Sequence, residues 1–362
     1  MATLFTKPEL TFLETYLNTP SPTGFEYEGQ KKRLQYIKQY VDTTYVDIYG
    51  TAVAVINPKA KFKVVIEAHA DEISWFVNYI SPEWLIYVIR NGGSDHQIAP
   101  SKTVRIHASN GKKIKGIFGW PALHTRKGKD VEVQPKLETI FIDCGCTSAK
   151  EVEKLGIMVG DVITYTDEFF ILNDRYFVCR ALDNRMGGFM IAQVAKLCAQ
   201  QKKKLPFGIY FVNSVQEEIG LRWAEMIARR INPDVAICTD VTHDTTTPHI
   251  NKIVEWEKAC GKWPVLTRWP AVHNILLKHI QDAAKKSKIA YQMAAVSYDT
   301  WTDTDSFAYS NEWVPSALIS LPLRYMHTTV EAVSIQDVSA TIKLLYQSLV
   351  SLKEDQNFNY HR

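Results

Sequence analysis

The chain has 362 residues, of which 46% are hydrophobic and 22% are charged, and it carries a formal net charge of +3. This composition is typical of a folded globular protein of about two domains, and it excludes a disordered or fibrous chain. Because basic and acidic residues nearly balance, the charge gives no reason to expect nucleic acid as a partner.

The sequence predicts a cytoplasmic protein that has no membrane partner. The N-terminal residues lack the basic and apolar regions of a signal peptide. No apolar run reaches the roughly 18 residues that a membrane span needs. The six cysteines are scattered and form no CxxC pair, which favours free thiols in a reducing compartment.

The first quarter of the chain predicts helices followed by strands. Apolar residues recur every three or four positions over residues 8–17 and 24–41, with the breaker cluster TPSPTG between these two helices. The runs TTYVDIY, TAVAVI and KVVIEAHA then read as strands. The last of them is apolar enough for a buried strand of a central sheet.

Between about residue 75 and residue 172 the pattern changes to short alternating runs that are separated by turns. Such runs predict a small β-barrel or sandwich. One helical turn, SAKEVEKLG, interrupts them, with Ser148 as its N-cap and Gly156 as its stop. We assign residues 75–172 to an inserted β-rich domain.

After Tyr176 strands and helices alternate to the end of the chain. Alternation of this kind predicts an α/β fold, in which helices cover both faces of a mixed, mostly parallel sheet. The simplest organisation is a discontinuous catalytic domain, formed by residues 1–74 and 173–362, that carries the β-rich insert.

Residues that commonly bind metals or transfer protons cluster where the predicted strands end. Five segments carry them: AHADE (68–72), ALDNR (181–185), VQEE (215–218), CTD (238–240) and RYMHT (324–328). Ligands of open α/β sheets bind at the carboxyl ends of the strands. Two histidines and four or five carboxylates suit two divalent metal ions that share a carboxylate. Mixed nitrogen and oxygen ligands favour zinc, with cobalt or manganese as alternatives.

Most of these segments, taken alone, also have a structural explanation, whereas an aspartate at the position of Asp240 modestly favours function. Asp183 could simply be a helix N-cap, and His327 could be a structural histidine after a strand. The adjacent Glu217 and Glu218 could be the solvated first turn of a helix. The metal site is therefore predicted from the whole set and not from any one motif.

In this order, the segments closely resemble the motifs of the glutamyl and deblocking aminopeptidase family of dinuclear metallopeptidases. That family includes the tetrahedral aminopeptidases, and some of its members have been labelled endoglucanases. The matching segments are TPSPTGFE (19–26), AHADEI (68–73), FIDCGCTSAKEVEKLGIMVGD (141–161), ALDNRMGG (181–188), VQEEIGLRWA (215–224) and YMHTTVEAVS (325–334). The resemblance covers nearly the whole chain.

The resemblance implies a role for each predicted ligand. His69, Asp183 and Asp240 would hold one metal ion. Asp183, Glu218 and His327 would hold the other, so that Asp183 bridges the two ions. The family also implies that the β-rich insert mediates dimerisation and helps to assemble a hollow dodecamer.

The remaining roles concern catalysis and the substrate. Glu217 would act as general base and then as general acid, and Asp71 would orient His69 or the catalytic glutamate. The segment TDTDSFAYS (302–310) resembles a family segment near the substrate, which makes Asp305 a candidate for substrate binding.

Some family positions differ in this chain, although every proposed ligand and the base are present. The differing positions are Ser74, Asn184, Trp223, Thr328 and Thr329. We expect an aminopeptidase that removes N-terminal residues from peptides. A hydrolase of another amide, such as an acylated amino acid, and a non-catalytic assembly protein are alternatives. The histidines argue against a glycan hydrolase, since glycosidases use a pair of carboxyl groups and no dinuclear metal.

Overall fold

A computed structural model describes residues 4–128, 132–201 and 204–361. The helices are α1 (Lys7–Asn18), α2 (Tyr27–Ile37), α3 (Ala149–Leu155), α4 (Leu182–Ala199), α5 (Arg222–Ile231), α6 (Lys252–Glu255), α7 (Asn274–Lys286), α8 (Asp303–Ala308) and α9 (Ile335–Ser351).

The first nine strands are β1 (Thr43–Val46), β2 (Ala52–Ile56), β3 (Lys63–His69), β4 (Ser74–Ile80), β5 (Ile86–Asn91), β6 (Thr103–His107), β7 (Lys113–Gly119), β8 (Phe141–Asp143) and β9 (Val162–Tyr165). The others are β10 (Phe170–Leu172), β11 (Tyr176–Cys179), β12 (Gly208–Ser214), β13 (Val235–His243), β14 (Val265–Arg268), β15 (Gln292–Ala295), β16 (Ser316–Arg324) and β17 (Glu331–Ser334).

The large sheet is mixed, as predicted. Its strand order is β1-β2-β12-β3-β13-β16-β17-β11-β10, and β14 and β15 lie beside β16. The central strands β12, β3, β13 and β16 run parallel to one another, whereas the flanking pairs are mostly antiparallel. The central four are buried almost throughout, which explains their continuous apolar runs.

Helices pack on both faces of this sheet. Ala68 of β3 points at α4, where an added Cβ on Gly187 would lie 2.7 Å from the Ala68 Cβ. On the other face, the hydroxyl of Ser214 contacts both Glu67 of β3 and Asp303 of α8. The alternation of side chains along a strand therefore separates two helical layers.

The six strands β4-β5-β8-β7-β6-β9 form a closed antiparallel barrel. Its interior has an apolar core of its own, which includes Trp75, Phe118 and Ile163. The predicted barrel or sandwich is therefore a barrel.

β10 lies within residues 75–172 but pairs with β11 in the large sheet. The division of the chain into two domains stays a prediction.

Two further observations concern the predicted location. No helix within the described ranges is both long and apolar enough to cross a bilayer. The six cysteines are all free thiols.

Candidate metal centre

The parallel strands bring four of the five predicted segments to one edge of the sheet. His69 is the last residue of β3, and Asp240 lies three residues before the end of β13. Glu217 and Glu218 follow β12 in a single 3₁₀ turn, and His327 follows β16. Their side chains meet because parallel strands end on the same side.

Asp183 comes from the fifth segment, at the start of α4. The backbone before it is irregular: Ala181 adopts a left-handed conformation with φ 60°, and Asp183 itself is not helical. This irregularity points the carboxylate at the cluster. Its Oδ1 lies 3.2 Å from Nε2 of His69, and its Oδ2 lies 3.4 Å from Nε2 of His327.

The other ligand atoms gather around these two imidazoles. Oδ1 of Asp240 and Oε2 of Glu217 each lie 3.8 Å from Nε2 of His69. Oε2 of Glu218 lies 3.5 Å from Nε2 of His327. The ligand atoms lie within 4.8 Å of one another in each of three groups: His69, Asp183 and Asp240; Asp183, Glu218 and His327; and His69, Glu217 and Glu218.

This geometry fits a pair of divalent metal ions. In a tetrahedral zinc site with bonds of about 2.0–2.1 Å, neighbouring ligand atoms lie roughly 3.3 Å apart. Asp183 presents one oxygen to each histidine, as a bridging ligand would. The first two groups match the two ligand sets that the family resemblance implies.

The electrostatics of the cluster favour a cation. Burial raises the pKa of Glu217 and of Asp240 well above the usual carboxyl range. Burial, helped by the Asp183 carboxylate, also raises the pKa of Glu218 to about 8. Burial opposes the charged form of His327, but Asp183 and Glu218 outweigh it and raise its pKa to about 10. Four carboxyl groups thus face two imidazoles, and bound divalent ions would neutralise the excess negative charge.

Asp71 lies where it can orient this cluster. Its Oδ1 is 3.3 Å from Nδ1 of His69, on the ring edge opposite the proposed metal. The backbone N–H groups of Glu217 and Glu218 donate to its two oxygens over 3.1 and 3.2 Å, and the hydroxyl of Thr23 donates over 2.9 Å. A carboxylate that contacts a ligand histidine in this way fixes its ring and tautomer.

Two buried glutamates near the site were not predicted. Glu331 accepts hydrogen bonds from the backbone N–H groups of Asp183 and His327. Glu26 accepts from the N–H of Gly24 and from that of Gln216, and burial raises its pKa to about 8. Both residues lie inside motifs that carry the resemblance. The sequence could have indicated these two glutamates, because each is a carboxyl group inside a matching motif to which no role had been assigned.

The barrel also contributes to the site through the turn after β5, another feature that the sequence did not reveal. A Cβ added to Gly93 would lie 2.4 Å from Nδ1 of His327, and one added to Gly92 would lie 3.1 Å from Cβ of Glu218. Only a residue without a side chain permits this close approach.

Asp305, the candidate for substrate binding, lies in α8 outside the three ligand groups. It is buried, and its carboxyl group accepts hydrogen bonds from the backbone N–H and the hydroxyl of Thr300. Burial raises its pKa to about 6. Its contact with substrate stays a prediction.

Comparison with known proteins identifies the family. The model of the M42 glutamyl aminopeptidase family matches residues 50–344 of the chain. A lysyl aminopeptidase of Pyrococcus furiosus is 29% identical, and the alignment covers 94% of this chain and 96% of that protein.

Two solved structures share the fold. An aminopeptidase of Desulfurococcus kamchatkensis superimposes with a TM-score of 0.87 at 28% identity, over 96% of each chain. The TET1 peptidase of Pyrococcus horikoshii, described as assembling into a tetrahedron or a large octahedral shell, has a TM-score of 0.82 at 23% identity. It covers 95% of this chain and 100% of its own. The chain belongs to the M42 glutamyl aminopeptidase family and is a peptide hydrolase.

Proposed function

We propose that this chain is a metal-dependent aminopeptidase, which releases single amino acids from the free N-termini of peptides. Two divalent ions, with zinc favoured over cobalt or manganese, would be held by His69, Asp183, Glu218, Asp240 and His327. The observation that carries the proposal is the placement of Asp183, whose two oxygens each face a different histidine.

The bound ions would polarise the scissile carbonyl and lower the pKa of the attacking water to about 7. Glu217 would then act as the base. Its Oε2 lies beside the ligand cluster, 3.8 Å from Nε2 of His69, and burial raises its pKa, which makes its carboxylate a stronger base than an exposed one. A carboxylate in that position accepts the proton of the water and returns it to the leaving amine.

Other residues of the chain would hold the base and the substrate. Asp71 contacts the backbone N–H of Glu217 and the ring of His69, so it would hold the base and one ligand at a fixed position relative to each other. Carboxylates of the cluster would attract the positive N-terminal amine of the peptide. Asp305 is the further candidate for substrate binding.

We propose in addition that the chain forms a homo-oligomer, from a dimer up to a dodecamer, through its β-rich region of residues 75–172. The edge strand β10 supports self-association, since Phe170, Ile171 and Leu172 are all exposed on it. The assembly described for the TET1 peptidase supports it as well. Sedimentation velocity should show a species heavier than one chain, and a monomer would contradict the proposal.

The test of the activity is amino-acid release from a panel of aminoacyl arylamides and short peptides, with N-acetylated copies as controls. Each assay is run before chelation, after chelation, and after zinc, cobalt or manganese has been restored. We expect metal-dependent release from free N-termini only. Release from the acetylated substrates would favour a hydrolase of acylated amino acids. No release from a folded chain with verified metal content would favour a non-catalytic assembly protein.

A further inference from the structure

Glu331 is a buried acidic residue to which the proposed reaction gives no role. It begins β17 and is only 1% exposed. The register of the sheet places it opposite Cys179 of β11, four residues before Asp183. This position is at the same sheet edge as the metal ligands, behind the proposed ligands Asp183 and His327.

Both oxygens of Glu331 are occupied by the backbones of these two ligands. The N–H of Asp183 donates to Oε2 over 3.0 Å, and the N–H of His327 donates to Oε1 over 2.7 Å. Asp183, Glu218 and His327 form one proposed ligand group. Among the hydrogen bonds of the described residues, Glu331 is the one side chain that accepts from the backbone N–H groups of two members of this group.

Neither ligand is held in place by regular secondary structure. His327 has φ 60° and sits in a turn in which the N–H of Thr328 donates to the carbonyl of Tyr325. Asp183 lies in the irregular start of α4. Residues without a regular hydrogen-bond ladder, and one of them with positive φ, keep a single conformation only when their surroundings determine it.

We propose that Glu331 is a positioning residue for the metal ion bound by Asp183, Glu218 and His327, an inference that rests on the proposed function. By tying the two backbones together, it sets the separation between Asp183 and His327 before any ion binds. Asp71 does the same for Glu217 and Glu218 across the cluster. The proposal predicts that loss of Glu331 weakens the binding of this ion more than that of the other ion, which shares only Asp183 with it.

Glu331→Gln tests this directly. An amide has one acceptor oxygen, so one of the two backbone N–H groups would face an NH₂ group instead. The matched control is Asp337→Asn. Asp337 of α9 is equally buried and also accepts two backbone N–H bonds, from Gly261 and Trp263, neither of which is a proposed ligand.

The measurement is zinc binding to the full chain after chelation, by calorimetry and elemental analysis, with cobalt absorption as a spectroscopic readout. We expect the wild-type chain and Asp337→Asn to bind two ions. In Glu331→Gln the ion of the Asp183, Glu218 and His327 group loses the support of two ligands and should bind at least about tenfold more weakly. The other ion shares only Asp183 with that group and should be weakened less. Two ions at wild-type affinity, or equal weakening of both, would overturn the proposal.

A second variant covers the case in which Glu331→Gln does not fold. Glu331→Asp keeps two oxygens but is one methylene shorter, so it reaches only one of the two N–H groups, and the same selective weakening is expected. A wild-type chain that binds two ions but releases no amino acid would contradict the proposed function and leave this test intact. A wild-type chain that binds fewer than two ions would overturn both.

Discussion

At the scale of single residues, the chemistry of the site depends on the positions and the charges of its carboxyl groups. Asp183, Glu217, Glu218 and Asp240 would repel one another in a buried cluster if nothing positive lay between them. The two hydrogen bonds from His69 and His327 outweigh the effect of burial and lower the pKa of Asp183. The two histidines therefore favour the ionised form of Asp183, as its proposed bridging role requires.

Glu217→Gln should separate catalysis from metal binding. Glutamine has nearly the same shape but cannot take a proton from water, so we expect the turnover number to fall at least about 100-fold while two ions stay bound. Arylamide hydrolysis and elemental analysis measure the two quantities.

The control for this substitution is Glu225→Gln, which changes a partly exposed glutamate of α5 that pairs with Arg229. It should leave the turnover number unchanged. Wild-type turnover in Glu217→Gln would remove Glu217 from the role of base.

At the scale of elements, a buried ion cluster connects the site to the start of α4. Oε2 of Glu72 lies 3.1 Å from Nε of Arg180, and its Oε1 lies 3.7 Å from Nη1 of Arg185. The N–H of Ser21 also donates to this carboxyl group over 2.7 Å. The cluster therefore holds together the N-terminal loop, the end of β3 and the segment that carries Asp183.

Glu72→Gln should destabilise the fold because it removes the carboxylate that pairs with two buried guanidinium groups. Breaking a buried ion pair from one side costs about 3–5 kcal/mol. Urea unfolding of the metal-free chain measures the loss. Glu257→Gln, which removes an exposed partner of Lys252, should cost less than about 0.5 kcal/mol. Equal effects of the two substitutions would contradict the assigned role of the cluster.

His107 of the barrel strand β6 should make the free energy of unfolding depend on pH. Burial, together with the positive charges of Lys113, Arg105 and Arg180, lowers the pKa of His107 to about 4. In the unfolded chain the pKa of this histidine is about 6.5. Between about pH 4 and pH 6.5 the unfolded chain therefore binds up to one more proton than the folded chain. The stability that His107 contributes is complete above about pH 6.5 and is lost as the pH falls towards 4.

Urea unfolding at pH 7 and at pH 4.5 checks this expectation. His107→Gln should lose less stability than the wild type between the two pH values. His124→Gln changes an exposed histidine and should follow the wild type. An unchanged pH dependence in His107→Gln would contradict the expected contribution.

At the scale of the whole molecule, metal binding should stabilise the fold. The proposed ligands lie on β3 and β13, just after β12 and β16, and at the start of α4, so an ion that binds only the folded chain would connect distant segments. At a free concentration of 100 times Kd, one site adds about 2.7 kcal/mol. Chelation should therefore lower the Tm by several degrees, and restored zinc should raise it again. Calorimetry that finds the same Tm with and without metal would contradict the site.

The sequence by itself determined the fold class, the β-rich insert and the family, because these depend on local patterns. Strand periodicity marked the alternating strands of the barrel, and continuous apolar runs marked buried strands such as β3. The short motifs around His69, Asp183 and Glu217 could be read in chain order without any knowledge of their distances.

Only the tertiary structure showed which further groups lie against the proposed ligands. Asp183 and Glu331 are 148 residues apart and come together because β11 and β17 pair in the sheet. Gly93 approaches His327 only because the barrel packs against the sheet edge. Contacts of this kind depend on strand order and on the packing of separate layers, and no local pattern in the chain encodes either of them.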